Sequence, residues 1–468
     1  MRPVLLIDIG STYTKVTAVD LDGPSLLGTA SAHTTVETDI SHGLDRALAA
    51  LEVETGKLDF VARFACSSAA GGLSMVACGL TPSLTETAAR MACLGAGAKV
   101  IRSFSHKLTS EDVAEIEALS PDILLLAGGT DGGNEAVITH NAAMLAEMDA
   151  DFPIVYAGNR NAATRCREIL TRANTVRPYD GRVYVVENVM PRLEVLNPEP
   201  VQQQVRELFL ERIIHAKGLT QIAAQMSGPI LPTPAAVLDA AVLLASEIGE
   251  LLVIDLGGAT TDVYSMARGV PQAVDTILRG IQEPFAKRTV EGDIGMRVSA
   301  PGVLHAVGVP WMAEVSGLSA EEVETLVPHL AENPDSLPDT PAGAALDRAL
   351  ASAAVMTAAT RHAGVLETIY GSQGTTLVQT GKDLTGVGTL ILTGGAIVRS
   401  GWAEDVARYA LFDGRSPTSL RPVAARVYVD GQYILAAMGL LANGHPEAAL
   451  KLMKKELIAH GTVKQAAH

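Results

Sequence analysis

A duplicated α/β architecture, two units in one chain, follows from three features of the 468-residue sequence. The length exceeds what one hydrophobic core comfortably fills. An apolar run that ends in an acid and a small-residue turn, LLIDIGSTYTKV at 5–16, returns as LLVIDLGGATTDV at 251–263. Short apolar runs alternate with Ala-rich amphipathic ones along the chain, the pattern of strands and helices in turn. A second echo, ILLLAGGTDGG at 123–133 and TLILTGGAIVRSG at 389–401, reads as part of the same duplication, with one longer insertion in the second copy.

The first unit is taken as 1–245. Strands are expected at 3–9, 13–20, 60–66, 98–103, 122–127, 152–157 and 182–187, and helices at 83–95, 109–119, 133–148, 160–173 and 200–216. PTPAAVLDAAVLLASEIG (232–249) reads as a Pro-started helix stopped by Gly249, and it links the units. The second unit is taken as 246–440, with the acidic, Pro-containing stretch 311–345 as a surface insertion. DGQYILAAMGLLANG (430–444) reads as a helix, and a basic helix follows from Pro446. Residues 441–468 are expected to return to the first unit.

Composition excludes several function classes. Apolar residues make up 48%, charged 19% and aromatic 4%, an ordinary soluble α/β balance. The formal charge of −16 sets the chain against phosphate backbones and anionic lipid, so no nucleic acid or membrane partner is expected. Cys66, Cys78, Cys93 and Cys166 form no CxxC pair and read as reduced, buried thiols. With no signal-peptide core and no apolar run near the roughly 20 residues of a membrane helix, the expected location is the cytoplasm.

The two acidic turns carry the chemistry. A small-residue turn between strands aims backbone N–H groups into the bend, where phosphate oxygens can sit. Gly10, Ser11, Thr12 and Lys15 in the first turn, and Gly257, Gly258, Thr260 and Thr261 in the second, are expected on phosphate. Asp8 and Asp255 are expected at the floor of a cleft between the units, where carboxylates suit Mg²⁺ held mostly through water. Gly394 and Gly395, bare backbone at a strand end, are expected against adenosine. ATP and Mg²⁺ are therefore the expected cofactors.

In this order the motifs resemble those of the actin, sugar kinase and Hsp70 ATPase superfamily. LLIDIGSTYTKV is similar to its first phosphate motif, LLVIDLGGATTDV to its second, PTPAAVLDAA to its connecting helix and LILTGGA to its adenosine motif. The resemblance implies two RNase H-like lobes with a nucleotide cleft between them, and it places Asp8, Asp255 and Asp262 near the metal or the attacking water. SSAAGGL, LLLAGGTDGGN, YAGN, ENVMP, DLGGATTDVYS and TVEGDIGMR narrow the likeness to the GlmL/MutL family, accessory proteins associated with glutamate mutase and similar adenosylcobalamin enzymes. That implies an ATPase that reactivates a cobalamin-dependent mutase, its partner. The rivals are a small-molecule kinase of the same fold, with Asp131 or Asp293 drafted as base, and a filament or scaffold protein.

Other features read as structural. Asp131 is expected to cap the helix after it. SSAAGGL is expected to serve close backbone packing. Glu291, Asp293 and Arg297 read equally as a functional cluster and as an internally paired loop. Two motifs do not occur: GxxxxGK[ST], which excludes a Walker-type loop, and DxHxxG, so no cobalamin site of that type is expected.

Overall fold

Pro3–Ile9, buried at every position, forms β1, and Tyr13–Asp20 forms β2; they run antiparallel with Asp8 opposite Lys15. This hairpin opens a computed structural model that describes residues 1–10, 12–35, 39–68, 73–93, 98–148, 152–172, 182–214, 219–272, 275–371 and 374–464. The chain divides into two units, Met1–Asp22 with Leu26–Ala236, and Gly23–Ser25 with Val237–His468.

Unit 1 continues through β3 (Ser25–His33), α1 (Ile40–Thr55) and β4 (Ala62–Ser67). Asp39 caps α1 by accepting the Ser41 N–H, and the helix buries Ile40, Leu44, Ala47 and Leu51 on one face. β4 lies parallel to β1 and sets Cys66 beside Asp8. The chain then builds a separate sheet from β5 (Leu73–Gly79), α2 (Pro82–Cys93), β6 (Ala98–Ser105), α3 (Ser110–Leu119), β7 (Ile123–Leu126), α4 (Ala136–Ala146), β8 (Ile154–Tyr156), α5 (Ala163–Arg172) and β9 (Val183–Val185). Its strands are all parallel, in the order β6-β5-β7-β8-β9, a doubly wound sheet whose winding reverses between β5 and β7. After α6 (Glu199–Ile214) and α7 (Leu219–Ala223), β10 (Leu231–Pro232) rejoins the first sheet next to β4. That sheet has the order β10-β4-β1-β2-β3. The boundary between the units falls within α8 (Thr233–Ile248).

Unit 2 repeats the first sheet. β11 (Leu251–Leu256) and β12 (Thr261–Met266) form an antiparallel hairpin, followed by β13 (Thr276–Arg279) and β14 (Ala286–Glu291). Four helices follow, α9 (Ala300–Val307), α10 (Val309–Ser316), α11 (Ala320–Glu332) and α12 (Pro341–His362). Then come β15 (Val365–Gly371), β16 (Gly374–Thr380), β17 (Thr389–Thr393), α13 (Gly395–Val398), α14 (Ala403–Ala407), β18 (Ala424–Asp430), α15 (Leu435–Ala442), α16 (Pro446–Glu456) and β19 (Leu457–Lys464). The main sheet reads β14-β12-β11-β17-β18-β19, and β13-β16-β15 form a small sheet of their own. In both units an antiparallel hairpin is extended on the side of its first strand by two parallel strands, β4 and β10 in one, β17 and β18 in the other.

This topology corrects the second echo. β17 pairs with β11 so that Thr393 faces Asp255, and β4 pairs with β1 so that Cys66 faces Asp8. The counterpart of Thr393-Gly394-Gly395 is therefore Cys66-Ser67-Ser68. The Gly128 loop belongs to the doubly wound sheet instead, following β7. A Gly-rich loop follows β7 and β17 alike, each a parallel strand that gives way to a helix, and the two stretches share that local need only. The 311–345 stretch is also more than a surface insertion. Glu314, Glu321, Glu322, Glu324 and Glu332 sit on helices that bury Met312, Val323 and Val327 in one cluster with Leu252 and Ile254. The basic helix ends at Glu456, and the chain turns into β19, paired with β18.

Candidate functional site

In unit 1 the β1–β2 turn is closed by the Gly10 N–H donating to the Tyr13 carbonyl at 3.0 Å. A Cβ on Gly10 would lie 2.6 Å from that oxygen, so the turn admits only glycine there. Thr12 is exposed, and Ser11 lies outside the described residues. Asp8, 8% exposed, takes Lys15 Nζ on Oδ2 at 3.1 Å. Its Oδ1 accepts the Thr233 hydroxyl at 2.8 Å and the Cys66 thiol at 3.4 Å. Burial, with the Asp8 carboxylate beside it, pushes the Cys66 thiol well up, so it stays a neutral donor. Thr233 and Cys66 were missed in the sequence: β10 and β4, far apart along the chain, bring them to Asp8.

Unit 2 repeats the turn in detail. The Gly257 N–H donates to the Thr260 carbonyl at 2.9 Å, and a Cβ on Gly257 would lie 2.8 Å from that oxygen. Gly258 is exposed, with only the Arg297 Cβ, at 4.0 Å, near the place of its missing side chain. Asp255 is half-buried and faces Asp262 across the hairpin. Asp262 Oδ1 receives Arg288 Nη2 at 2.7 Å and Nε at 2.8 Å, and Arg288 lies over the Tyr264 ring. Thr260 is half-buried at the turn. The Thr261 hydroxyl is fully buried and donates to the Ile294 carbonyl at 2.9 Å, so this side chain belongs to the core and not to the face of the turn.

The Gly394-Gly395 step divides into two roles. Gly394 is buried at φ 106° and packs so closely on the Leu256 carbonyl that a side chain has no room. Gly395 is exposed, and beyond its chain neighbours and its own helix backbone no atom of the described residues lies within 4 Å of where its Cβ would be. Thr393, just before them, donates to Asp430 Oδ2 at 3.1 Å. Asp430 in turn accepts the Ile434 and Leu435 N–H groups at the start of α15, an anchor that sequence reasoning did not single out although an acid ahead of an apolar helix is its usual signal. Gly394 thus shapes the site from behind and Gly395 leaves its face bare.

Asp131 is not the cap of α4. Its Oδ1 accepts the Arg160 N–H at 3.0 Å and Asn188 Nδ2 at 2.9 Å, while Asn134 accepts the Val137 N–H. Asn159 and Asn188, from YAGN and ENVMP, brace the GGTDGG loop through Gly132 and Gly129. Glu291 and Asp293 pair with Arg361, and Arg297 with Asp347, the internally paired reading of TVEGDIGMR.

The fit to the expected ligands differs between them. Each glycine-closed turn, with Lys15 beside the first and the exposed Gly258 in the second, suits phosphate oxygens, and the exposed Gly395 suits a flat base. Asp8 suits direct metal ligation poorly, because both its oxygens already accept. Among the described residues no group of three or more His, Cys, Asp or Glu forms a metal cage. The facing Asp255 and Asp262 carboxylates offer a second edge for a Mg²⁺ held chiefly by phosphate and water.

Matching sheets and matching turns define the class, a duplicated α/β protein. The chain belongs to the MutL protein family, whose model matches residues 4–457. Protein MutL of Clostridium tetanomorphum is 44% identical over 467 residues, covering 98% of this chain and 100% of its own. Solved structures with a distantly similar course include the activator of the 2-hydroxyisocaproyl-CoA dehydratase from Clostridium difficile with bound ADPNP (TM-score 0.33, 11% identity, 100% of each chain). Another is a diol dehydratase-reactivating factor in nucleotide-free form (TM-score 0.35, 12% identity, 95% of this chain and 100% of that one). Among the described residues no helix is long and apolar enough to cross a membrane.

Proposed function

We propose that this protein is an ATP-dependent accessory factor that reactivates an adenosylcobalamin-dependent mutase such as glutamate mutase, acting in the cytoplasm. The observation that carries the reading is the pair of equivalent turns, Gly10 to Tyr13 and Gly257 to Thr260, each two residues after an acid. Each turn suits the hold on phosphate that hydrolysis needs, since phosphoryl transfer depends on positioning and charge neutralisation more than on covalent chemistry. Gly10, Thr12, Lys15, Gly258 and Thr260 would meet phosphate, and Gly395 the adenosine. Mg²⁺, when bound, supplies charge neutralisation on the phosphates, with Asp255 and Asp262 as its carboxylate edge. Asp8 fixes Lys15, and Thr233 fixes Asp8, so the first turn presents its cation in one geometry. ATP then biases the chain between two states that a bound mutase can feel.

The test is ATP turnover of the purified protein with and without a cobalamin-inactivated mutase, beside a screen of small acceptors. Turnover stimulated by the mutase, and lost in Asp8→Asn and Asp255→Asn, is the expected result. Phosphorylation of an acceptor at metabolic rates would replace the reading with a kinase, and ATP-dependent sedimentation with a filament.

A further inference from the structure

The loop between β14 and α9 is fastened to the second glycine turn. Its Met296 and Arg297 N–H groups donate to the Gly257 and Gly258 carbonyls at 3.0 and 2.8 Å, and its Ile294 carbonyl takes the Thr261 hydroxyl. Gly295 permits the contact, since a Cβ there would lie 2.5 Å from the Ala259 carbonyl carbon. On its other side the loop meets α9, where Gly302 packs on the Asp293 carbonyl without room for a side chain. Any shift of the turn therefore has to move the loop.

The loop is also tied to both ends of α12. Arg297 reaches Asp347 with two parallel bonds, 3.0 and 2.8 Å, and donates to the Ser336 and Met296 carbonyls. Arg361, about four helical turns further along α12, makes the reverse arrangement, from helix to loop: 2.8 Å to Glu291, 2.7 and 3.0 Å to Asp293. The Arg297–Asp347 pair is buried, 11% and 9% exposed, and so escapes screening, whereas Arg361 and Asp293 are 40% and 57% exposed and share their bonds with water. One tie is fixed and the other is the weaker, releasable one.

We propose that Arg297 is a positioning residue for the Gly257–Thr260 turn, and that the 291–297 loop relays the occupancy of that turn to α12 and the helical layer α9–α12. The relay rests on the turn's being a phosphate grip; the positioning role of Arg297 does not. The fixed tie holds the turn, and the releasable tie lets α12 answer a change in it.

Amide exchange on the full-length chain tests both parts, with and without a non-hydrolysable ATP analogue and Mg²⁺. In nucleotide-free protein, Arg297→Ala should speed exchange across 256–262 by about tenfold or more, Arg297→Lys should restore part of the protection, and Arg361→Ala should leave the turn as in wild type. Unchanged exchange in Arg297→Ala overturns the positioning role, whether or not nucleotide binds. With nucleotide, wild type should gain protection over 341–362, and Arg361→Ala should lose most of that gain while nucleotide affinity stays within about threefold. Equal protection in Arg361→Ala, or none in a wild type that binds nucleotide, overturns the relay. A wild type that binds no nucleotide by calorimetry removes the ATP reading and the relay with it. Steady-state turnover adds a readout that mere destabilisation does not give: Arg297→Lys should lower kcat by ~10- to 100-fold with little change in nucleotide affinity. Equal kcat in a folded Arg297→Lys counts against the positioning role.

Discussion

Asp255 and Asp262 are direct partners across the antiparallel pair β11–β12, two acids on one face of the sheet. At the matching place in unit 1 an acid faces a base, Asp8 with Lys15 at 3.1 Å. Unit 2 carries its balancing cation one strand further out, on β14, where Arg288 reaches Asp262. The two turns share a backbone and differ in charge, with a cation standing opposite the first acid and a second carboxylate opposite the other.

Facing carboxylates repel unless a cation is close. Arg288→Ala should therefore cost about 3 kcal/mol of stability, read as a lower urea midpoint at unchanged slope. Adding Asp262→Asn to that variant should recover most of the loss. A double variant no more stable than the single one would show that the cost comes from lost packing on Tyr264.

Thr233 donates to a buried, charged carboxylate, and such bonds are worth about 2 kcal/mol. Thr233→Val should destabilise by about that amount and lower ATP turnover, while Cys66→Ala, whose thiol is the longer contact, should change both far less. Denaturant titration and a phosphate-release assay check the pair.

The two glycines after β17 should separate folding from binding. Gly394→Ala sets a side chain against the Leu256 carbonyl at φ 106° and should destabilise by about 2 kcal/mol or more. Gly395→Ala meets no atom of the described residues outside its own helix and should melt like wild type, yet weaken adenine-nucleotide binding measured by calorimetry. Unaltered binding in Gly395→Ala would remove this residue from the site.

Lys382 is 1% exposed, bonded to the Ser265 and Phe285 carbonyls and the Ser265 hydroxyl, and burial pushes its pKa down to about 7. Glu283 and Glu250 pull it upward, and Lys287 pushes it further down. Between about pH 7 and the unfolded value near 10.4 the unfolded chain holds a proton that the folded chain has released. Stability must then rise with pH across that window. The stability difference between wild type and Lys382→Met should shift in favour of wild type from pH 7 to pH 9.5, and it should be flat below pH 6. Urea midpoints measured at each pH decide it.

Both hairpins and their acids were legible because an apolar run, an acid and a glycine turn form one local pattern. The partners of those acids were not. Cys66 and Arg288 arrive on other strands and Thr233 at the start of α8, and the local sequence does not show that they reach those acids. The α1 segment carried a readable signal in Asp39 and the spacing of Leu44, Ala47 and Leu51, yet no element was expected there. β5 was hidden by the Gly-rich stretch before it. The GGTDGG loop misled because glycine at a strand end answers a local need that both kinds of sheet share. Thr261 sits in the motif, but the alternation of a strand turns its side chain away from the face that Asp262 occupies.

Thr233 and Asp8, joined by a hydrogen bond, stand 225 positions apart, and Arg63 and Ser227, also joined, 164 apart. The strand that finishes the first sheet is thus among the last parts of that unit to leave the ribosome. At ordinary synthesis rates β4 waits on the order of ten seconds for its neighbour. The doubly wound sheet, whose crossovers are short, can assemble during that interval, while the early hairpin and β4 keep a bare edge. A nascent chain stalled before Leu231 would leave β4 without its outer neighbour, and that open edge is where pairing with another chain would start.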